Sequence, residues 1–184
     1  MRIGLVRHFK VNLDNLPGYI EAREFSNWMR DYDNIEVIPR DVDLRNIPWN
    51  RCYASDLYRA KTTANIIYDG EIVETPLLRE ISMKFTGEFE ARVKRKVSFL
   101  EWSVYSMVNW AKGADCVEET IADSRKRINK FLDGLLEELK QEDNVLLVCH
   151  GMIMTVLDEE LKKRGFLGET VVAAKNGELF LYEK

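Results

Sequence analysis

The chain has 184 residues, 46% of them hydrophobic and 32% charged, which is typical of one globular domain with a substantial buried core. Its net charge of −4 argues against a general nucleic-acid-binding protein, which would normally be basic. Because the three cysteines are widely spaced, and because we find no signal-peptide pattern and no run of about 18 apolar residues, we expect a cytoplasmic protein with free thiols and no membrane association.

The amino terminus begins with a short apolar run, residues 3–6, that ends in Arg7 and His8. Such a run predicts a buried strand of a parallel sheet, where ligands bind at the carboxyl ends of the strands. His150 is the second of the chain's two histidines, and it also closes an apolar run, residues 145–149. A lone histidine at a strand end is usually just a polar residue that bonds a loop, but two such strands predict one shared site.

The rest of the chain alternates helical and strand patterns. In chain order we predict a loop at 9–18, a helix at about 20–32, a strand at 51–54, a helix capped by Ser55 or Asp56, a strand at 71–74, an irregular stretch at 77–91, and helices at 92–111 and 120–140. After them we predict the His150 strand, a helix, a strand at 171–173 and a two-residue hairpin turn at Asn176-Gly177. This alternation predicts an α/β fold, a three-layer α/β/α sandwich with a mostly parallel sheet.

Two charged regions suggest anion binding. Arg59 falls in the first turn of a predicted helix, beside unpaired backbone N–H groups that favour an anion. Residues 92–96 carry four cationic side chains, which indicate either a solvated face or a rim that attracts anionic substrates. We expect Trp102, Tyr105 and Trp110 on the helix that follows to pack along one face, with a substrate cap or a dimer contact as the alternatives.

Four short motifs occur along the chain: Arg7-His8, Ser55-Asp56-Leu57-Tyr58-Arg59-Ala60, Leu78-Arg79-Glu80 and Cys149-His150-Gly151. With these motifs in this order, the sequence resembles the histidine phosphatase superfamily, whose founding members are the cofactor-dependent phosphoglycerate mutases. Partial matches follow at Gly87-Glu88-Phe89-Glu90 and at Glu119-Thr120 with Arg127. The resemblance implies a phosphoglycerate mutase-like fold, a single domain over residues 1–184 with residues 77–117 as a substrate cap.

The resemblance also implies a mechanism. His8 would attack phosphorus and form a phosphohistidine, while Glu80 would protonate the leaving group. Arg7, Arg59 and His150 would surround the phosphoryl oxygens, where the transition state needs positive charge. A neutral nucleophile needs an acceptor on its other ring nitrogen, which the sequence does not identify. The scheme needs no metal and no cofactor, and the nearby rivals for the acid are Glu88 and Glu90.

The sequence departs from the family's R-H-G-[EQ]-[ST] pattern directly after the histidine. Phe9 replaces a glycine whose backbone is freer, and Val11 lacks the expected hydroxyl. The family's asparagine, seven residues past the arginine, would fall on Asp14. We interpret Phe9 as an apolar wall of the substrate pocket.

These observations favour a metal-independent phosphomonoester hydrolase that acts on a small phosphorylated metabolite. The chain is shorter than typical phosphoglycerate mutases, and a shorter lid admits the water that hydrolysis needs. The alternatives are a mutase-type phosphotransferase, a phosphoprotein phosphatase, and a catalytically inactive phosphate-binding regulatory module. The oligomeric state stays open, with a homodimer among the options.

Overall fold

The computed structural model describes residues 1–184. The ten strands are β1 (Arg2–Arg7), β2 (Lys10–Val11), β3 (Tyr19–Ile20), β4 (Val37–Ile38), β5 (Arg51–Ser55), β6 (Ile72–Thr75), β7 (Val97–Ser98), β8 (Asn144–Cys149), β9 (Leu167–Gly168) and β10 (Leu179–Glu183). The six α-helices are α1 (Ala22–Tyr32), α2 (Tyr58–Ile67), α3 (Gly87–Arg92), α4 (Phe99–Lys112), α5 (Ile121–Glu138) and α6 (Gly151–Lys163). None of these helices is both long and apolar enough to span a bilayer.

The residues form two compact units. The first, here called the sheet unit, comprises residues 1–12, 36–80 and 125–184. The second unit comprises residues 13–35 and 81–124 and contains α1, α3, α4 and the paired strands β3 and β7. Most of the predicted cap, residues 77–117, belongs to the second unit, and its role as a substrate cap remains a prediction.

A six-stranded sheet forms the centre of the sheet unit, with the strand order β6-β5-β8-β1-β10-β9. The four strands β6, β5, β8 and β1 are parallel, whereas β10 runs antiparallel to β1 and β9 antiparallel to β10. The mostly parallel sheet predicted from the sequence is therefore confirmed. Arg7 pairs with Cys149 in the register of β1 and β8, so His8 and His150 follow at the same edge of the sheet.

Helices cover both faces of this sheet. On one face, Cys52 and Ala54 of β5 contact Ala60 and Ala64 of α2 in one buried cluster. Because side chains alternate along a strand, Tyr53 points to the opposite face, where its ring meets Phe131 of α5 at 5.7 Å. On that face Tyr182 of β10 also donates a hydrogen bond to Asp158 of α6, at 2.7 Å. The three-layer α/β/α arrangement is confirmed.

Most predicted elements occur near their expected positions, but the helix predicted at 92–111 begins later than expected. Helix α4 starts at Phe99 because Ser98 and Glu101 form a reciprocal capping box in front of it. The residues before it form the short helix α3, capped by Thr86, and the strand β7. On α4, Trp102 and Trp110 are buried as expected of a packed face, whereas Tyr105 is 43% exposed.

Three other local predictions are wrong. Residues 171–173 form no strand, and the turn at Asn176-Gly177 lies in a longer connection between β9 and β10. That connection bonds to Arg7 instead of pairing with a strand of its own, as described below. The N-cap of α2 is Leu57 and not Ser55 or Asp56, because the Ser55 hydroxyl bonds His150 and the Asp56 carboxylate bonds Arg79.

Candidate active site

The two histidines lie side by side at the carboxyl ends of β1 and β8. Their ring centroids are 5.0 Å apart, with the ring planes inclined at 57°. Both side chains are buried, His8 at 3% exposure and His150 at 0%. The two histidines that the sequence predicts to share one site therefore lie together in the fold.

His8 is held as a neutral imidazole in one tautomer. Its Nδ1 atom lies 2.6 Å from the Phe9 carbonyl oxygen, which can only accept, so the proton sits on Nδ1 and the lone pair on Nε2. Burial lowers the pKa of His8 to about 3, and so do the nearby positive charges, first Arg59 and then Arg7, against the opposing effect of the Phe9 carbonyl. The ring is therefore neutral near physiological pH and presents Nε2 as a nucleophile.

Arg59 lies in the first turn of α2, as predicted, and contacts His150. Its Nε donates to His150 Nδ1 at 3.1 Å, which places the proton of His150 on Nε2, where it bonds the Ser55 hydroxyl at 2.8 Å. Burial, followed by the charge of Arg59, lowers the pKa of His150 well below its usual value. Both nitrogens of His150 are thus engaged, and a direct contact with a phosphoryl oxygen would need one of these bonds to exchange.

Arg7 brings a second guanidinium group to the same edge of the sheet. Its Nη1 donates to the Ala174 carbonyl at 2.6 Å, while its Nε is buried without a hydrogen-bond partner. Buried donors are rarely left unpaired, and an anion would satisfy this one. Gly151 permits the close approach, because a Cβ at that position would lie 3.3 Å from Arg7 Cζ and Nε. Arg7 and Arg59 together form a cationic cradle around the two neutral imidazoles.

Glu80 lies at the amino end of α6, the helix that begins directly after His150. Its Oε1 accepts a hydrogen bond from the Ile153 amide at 2.9 Å, and its Oε2 accepts one from the Met152 amide at 3.1 Å. These amides belong to the first turn of the helix, where backbone donors lack partners within the helix and favour an anion. A carboxylate is thereby placed beside the cradle, within the sheet unit.

Two side chains fix the segment that carries Glu80. Arg127 of α5 donates from Nη1 to the Leu77 carbonyl at 2.7 Å and from Nη2 to the Glu80 carbonyl at 3.4 Å. Arg79 binds Asp56 through two hydrogen bonds of 2.6 Å, which joins this segment to the start of α2. The motif residues Arg79 and Asp56 therefore have a structural role. The rival acids Glu88 and Glu90 both belong to α3, in the second unit.

Phe9 does not line an open pocket. Its side chain has 0% exposure, and its backbone φ is not positive, so the position does not require a glycine. The pocket-wall interpretation is therefore wrong, because the side chain is part of the core. The backbone of Phe9 provides the acceptor that fixes His8, a role that any residue type can fill.

Sequence reasoning missed one buried hydroxyl, that of Thr63, which accepts a hydrogen bond from the Phe9 amide at 2.9 Å. The available signal was its position, four residues after Arg59 on the same face of a helix. It also missed Asn176, whose side chain donates to the His8 carbonyl at 2.8 Å. No pattern in the sequence indicated that contact.

Comparison with known proteins identifies the family. The family model described as histidine phosphatase superfamily (branch 1) matches residues 41–168, a range that contains Arg59, Glu80 and His150. The adenosylcobalamin/alpha-ribazole phosphatase of Salmonella typhimurium (strain LT2) is 25% identical over 116 residues, which cover 62% of this chain and 57% of that protein. The chain thus matches little more than half the length of that relative. The protein of the same name from Escherichia coli (strain K12) is 22% identical over 162 residues, 85% of this chain and 77% of that one.

Among solved structures, the alpha-ribazole phosphatase from Shigella flexneri superposes with a TM-score of 0.56 at 17% sequence identity. The superposition covers 98% of this chain and 89% of that one. At this level of identity the likeness establishes a common fold. The chain belongs to the histidine phosphatase superfamily (branch 1).

Proposed function

We propose that the protein hydrolyses the phosphate monoester of a small metabolite through a phosphohistidine on His8, without a metal ion. One observation carries this proposal above the others. A neutral imidazole with a fixed tautomer stands in the cradle formed by Arg7 and Arg59. Its partners satisfy the two needs of phosphoryl transfer, a nucleophile that is unprotonated and positive charge around the phosphoryl oxygens.

In the first step, His8 Nε2 attacks phosphorus and the bond from phosphorus to the leaving oxygen breaks. The leaving oxygen takes a proton from Glu80, which enters this step as the carboxylic acid. A bound phosphate group favours the protonated form of a carboxyl group beside it, because two negative charges repel each other. One of the two hydrogen bonds that Glu80 accepts from backbone amides must then open, since the protonated oxygen can no longer accept in the same geometry.

In the second step, water attacks phosphorus and the bond from phosphorus to His8 Nε2 breaks. The Glu80 carboxylate takes a proton from the attacking water and returns to its acid form. The products are inorganic phosphate and the neutral imidazole that the Phe9 carbonyl holds in its starting tautomer. Arg7 and Arg59 stabilise the equatorial oxygens in both steps, and two-step displacement replaces one difficult reaction with two easier ones.

The relatives suggest a substrate to test first. Two of them are named adenosylcobalamin/alpha-ribazole phosphatases, so alpha-ribazole phosphate heads the panel of phosphorylated metabolites. The departure at Phe9 does not weaken the case for turnover, because a backbone carbonyl fixes His8 and every residue type has one. The same site could pass its phosphoryl group to a sugar acid in place of water, which a mutase assay with 3-phosphoglycerate and 2,3-bisphosphoglycerate distinguishes.

The test is hydrolysis of para-nitrophenyl phosphate by the purified protein in the presence of a metal chelator. We expect turnover by the wild type, none by His8→Ala, and an acid-labile phosphoryl group trapped on the wild type by rapid quenching. Turnover that persists in His8→Ala would exclude the phosphohistidine. Turnover that returns only with a divalent metal would exclude the metal-free mechanism, and the absence of turnover with every phosphate ester would favour a phosphate-binding module.

A further inference from the structure

The peptide that joins His8 to Phe9 is held at both of its polar atoms. The Phe9 amide donates to the Thr63 hydroxyl at 2.9 Å, and the His8 carbonyl accepts from Asn176 Nδ2 at 2.8 Å. The His8 amide donates in turn to the Cys149 carbonyl of β8 at 3.0 Å. The backbone next to the nucleophile is therefore fixed by two side chains and a strand that are far apart in the sequence.

Thr63 can act toward Phe9 only as an acceptor. Its hydroxyl proton is committed to the Arg59 carbonyl, four residues earlier, at 2.7 Å. Such bonds are common for threonine in helices, but here the remaining lone pairs of the oxygen meet the Phe9 amide. The side chain is completely buried, so water cannot replace it. One hydroxyl thus contacts the backbone of a cradle arginine and the backbone beside the nucleophile.

Asn176 belongs to a connection that wraps the end of β1. Within this connection the Ala174 carbonyl accepts from Arg7 Nη1 at 2.6 Å, and the Gly177 amide donates to the Arg7 carbonyl at 2.8 Å. Gly177 has a φ of +71°, which a side chain would disfavour. The connection therefore places the Asn176 amide group against His8 and aligns Arg7 at the same time.

We propose that Thr63 and Asn176 are positioning residues that set the tautomer of His8. By fixing the peptide between His8 and Phe9, they hold the Phe9 carbonyl where it accepts from His8 Nδ1, at 2.6 Å. The Phe9 carbonyl belongs to the next peptide and extends from the Phe9 Cα that the clamped peptide fixes, so a shift of the His8–Phe9 peptide moves this carbonyl away from Nδ1. Part of the molecules then carry the proton on Nε2 and lose the nucleophile. The kinetic side of this inference rests on the function proposed above, whereas the tautomer itself does not.

The chain's two histidines make the tautomer directly measurable, because ¹⁵N NMR of the imidazoles contains two rings. In the wild type we expect His8 with a protonated Nδ1 and an unprotonated Nε2. Thr63→Val keeps the volume of the side chain but removes the hydroxyl, and Asn176→Ala removes the donor. Both variants should move the two His8 signals toward each other and leave those of His150 in place. Thr63→Ser keeps the hydroxyl and should give the wild-type spectrum.

With para-nitrophenyl phosphate, we expect either variant to lower kcat by about tenfold with little change in KM. A misplaced catalytic group slows the chemical step more than it weakens substrate binding. Combining Thr63→Val with Asn176→Ala should lower kcat by little more than either alone, because both side chains hold one peptide. Thr63→Ser should restore kcat. Asn176 is at a partly exposed loop position, so its variant reports on the clamp even if Thr63→Val fails to fold.

Unchanged His8 signals in both variants would overturn the inference, and a loss of kcat in that case would reflect general support of the fold. If the His8 signals move in the two variants but the wild type hydrolyses no phosphate ester, the positioning role of Thr63 and Asn176 is supported and the proposed function is excluded. The two proposals therefore fail by different observations.

Discussion

At the scale of single residues, Glu80 faces two demands that conflict. Its oxygens accept hydrogen bonds from the amides of Met152 and Ile153, an arrangement that suits the carboxylate. The proposed first step instead requires the acid, and a substrate that brings a phosphate dianion supplies the reason for proton uptake. The demand on the acid depends on the leaving group, since an aryl oxide departs without help and an alkoxide does not.

Glu80→Gln should therefore discriminate between substrates. Glutamine keeps the shape of the side chain but cannot donate a proton to an alkoxide. We expect kcat/KM for an alkyl phosphate to fall by about 10² to 10³, and that for para-nitrophenyl phosphate to fall far less. The measurement is kcat/KM for both esters with one protein preparation. Equal losses on the two esters would mean that Glu80 positions the site and does not act as its acid.

The guanidinium of Arg7 is sensitive to one methyl group at Gly151. An alanine Cβ there would lie 3.3 Å from two atoms of that guanidinium, so the group must shift by a few tenths of an ångström. We expect Gly151→Ala to lower kcat/KM for para-nitrophenyl phosphate by about tenfold, because phosphoryl transfer depends on exact placement of the charges.

Gly134 provides the matched control, because it also lies in a helix, and a Cβ there would meet nothing within 4 Å. Gly134→Ala should leave activity unchanged and raise the free energy of unfolding by about 0.5 to 1 kcal/mol, since alanine favours helix. If both variants keep full activity, the contact with Arg7 does not matter for catalysis.

At the scale of elements, the parallel strands of the central sheet were predictable and the connections were not. The apolar runs before His8 and His150 predicted two buried strands that share an edge, because a parallel sheet aligns its carboxyl ends. The same reasoning placed Arg59 in the first turn of α2. These predictions depend on local periodicity, which a sequence carries directly.

Contacts between distant segments were beyond that reasoning. Ser55 was predicted as a helix cap because of its type, but a buried imidazole competes for its hydroxyl. Asn176-Gly177 carries the usual hairpin signal, yet the chain around it bonds to Arg7 and His8. The acceptor for His8 could not be predicted because it is a backbone carbonyl, which every residue has, so the residue type gives no signal.

Helix α5 contacts the segment that carries Glu80 through Arg127. Arg127 holds the carbonyls of Leu77 and Glu80, and so fixes the turn from which the Glu80 side chain extends. Hydrogen bonds from a charged donor contribute about 1.5 to 3 kcal/mol, so their loss should loosen this segment.

Arg127→Met should accordingly lower kcat/KM for an alkyl phosphate by about tenfold or more, because the acid is no longer held in place. It should also lower the midpoint of thermal unfolding. Lys126→Met removes a cation from the preceding position of the same helix, which is exposed, and should change neither quantity. Equal activity in the two variants would show that the Glu80 segment keeps its position without Arg127.

At the scale of the whole molecule, the residues that form the site lower the stability of the folded state. The fold buries two histidines and Arg59 at one sheet edge beside the half-buried Arg7, whose buried Nε it leaves without a partner. The lowered pKa values of the two histidines have the same origin, since burial and nearby arginines disfavour their charged forms. The overall charge of −4 does not reveal this local positive field, which depends on where the fold brings the arginines together.

The stability of the protein should therefore decrease in mild acid, in part through His8. Its pKa is about 3 in the folded state and about 6.5 when unfolded, so the unfolded chain binds more protons between these values and stability falls as pH falls below 6.5. Between about pH 7.5 and about pH 5.5, His8 alone should remove about 1.4 kcal/mol from the free energy of unfolding.

Urea unfolding of wild type and His8→Asn at both pH values measures this, because asparagine does not titrate and its amide can donate to the Phe9 carbonyl. The two proteins share every other titratable group, so the variant should lose that much less than the wild type. Parallel losses would show that His8 takes up its proton equally in the folded and unfolded states, and the neutral nucleophile would no longer be supported.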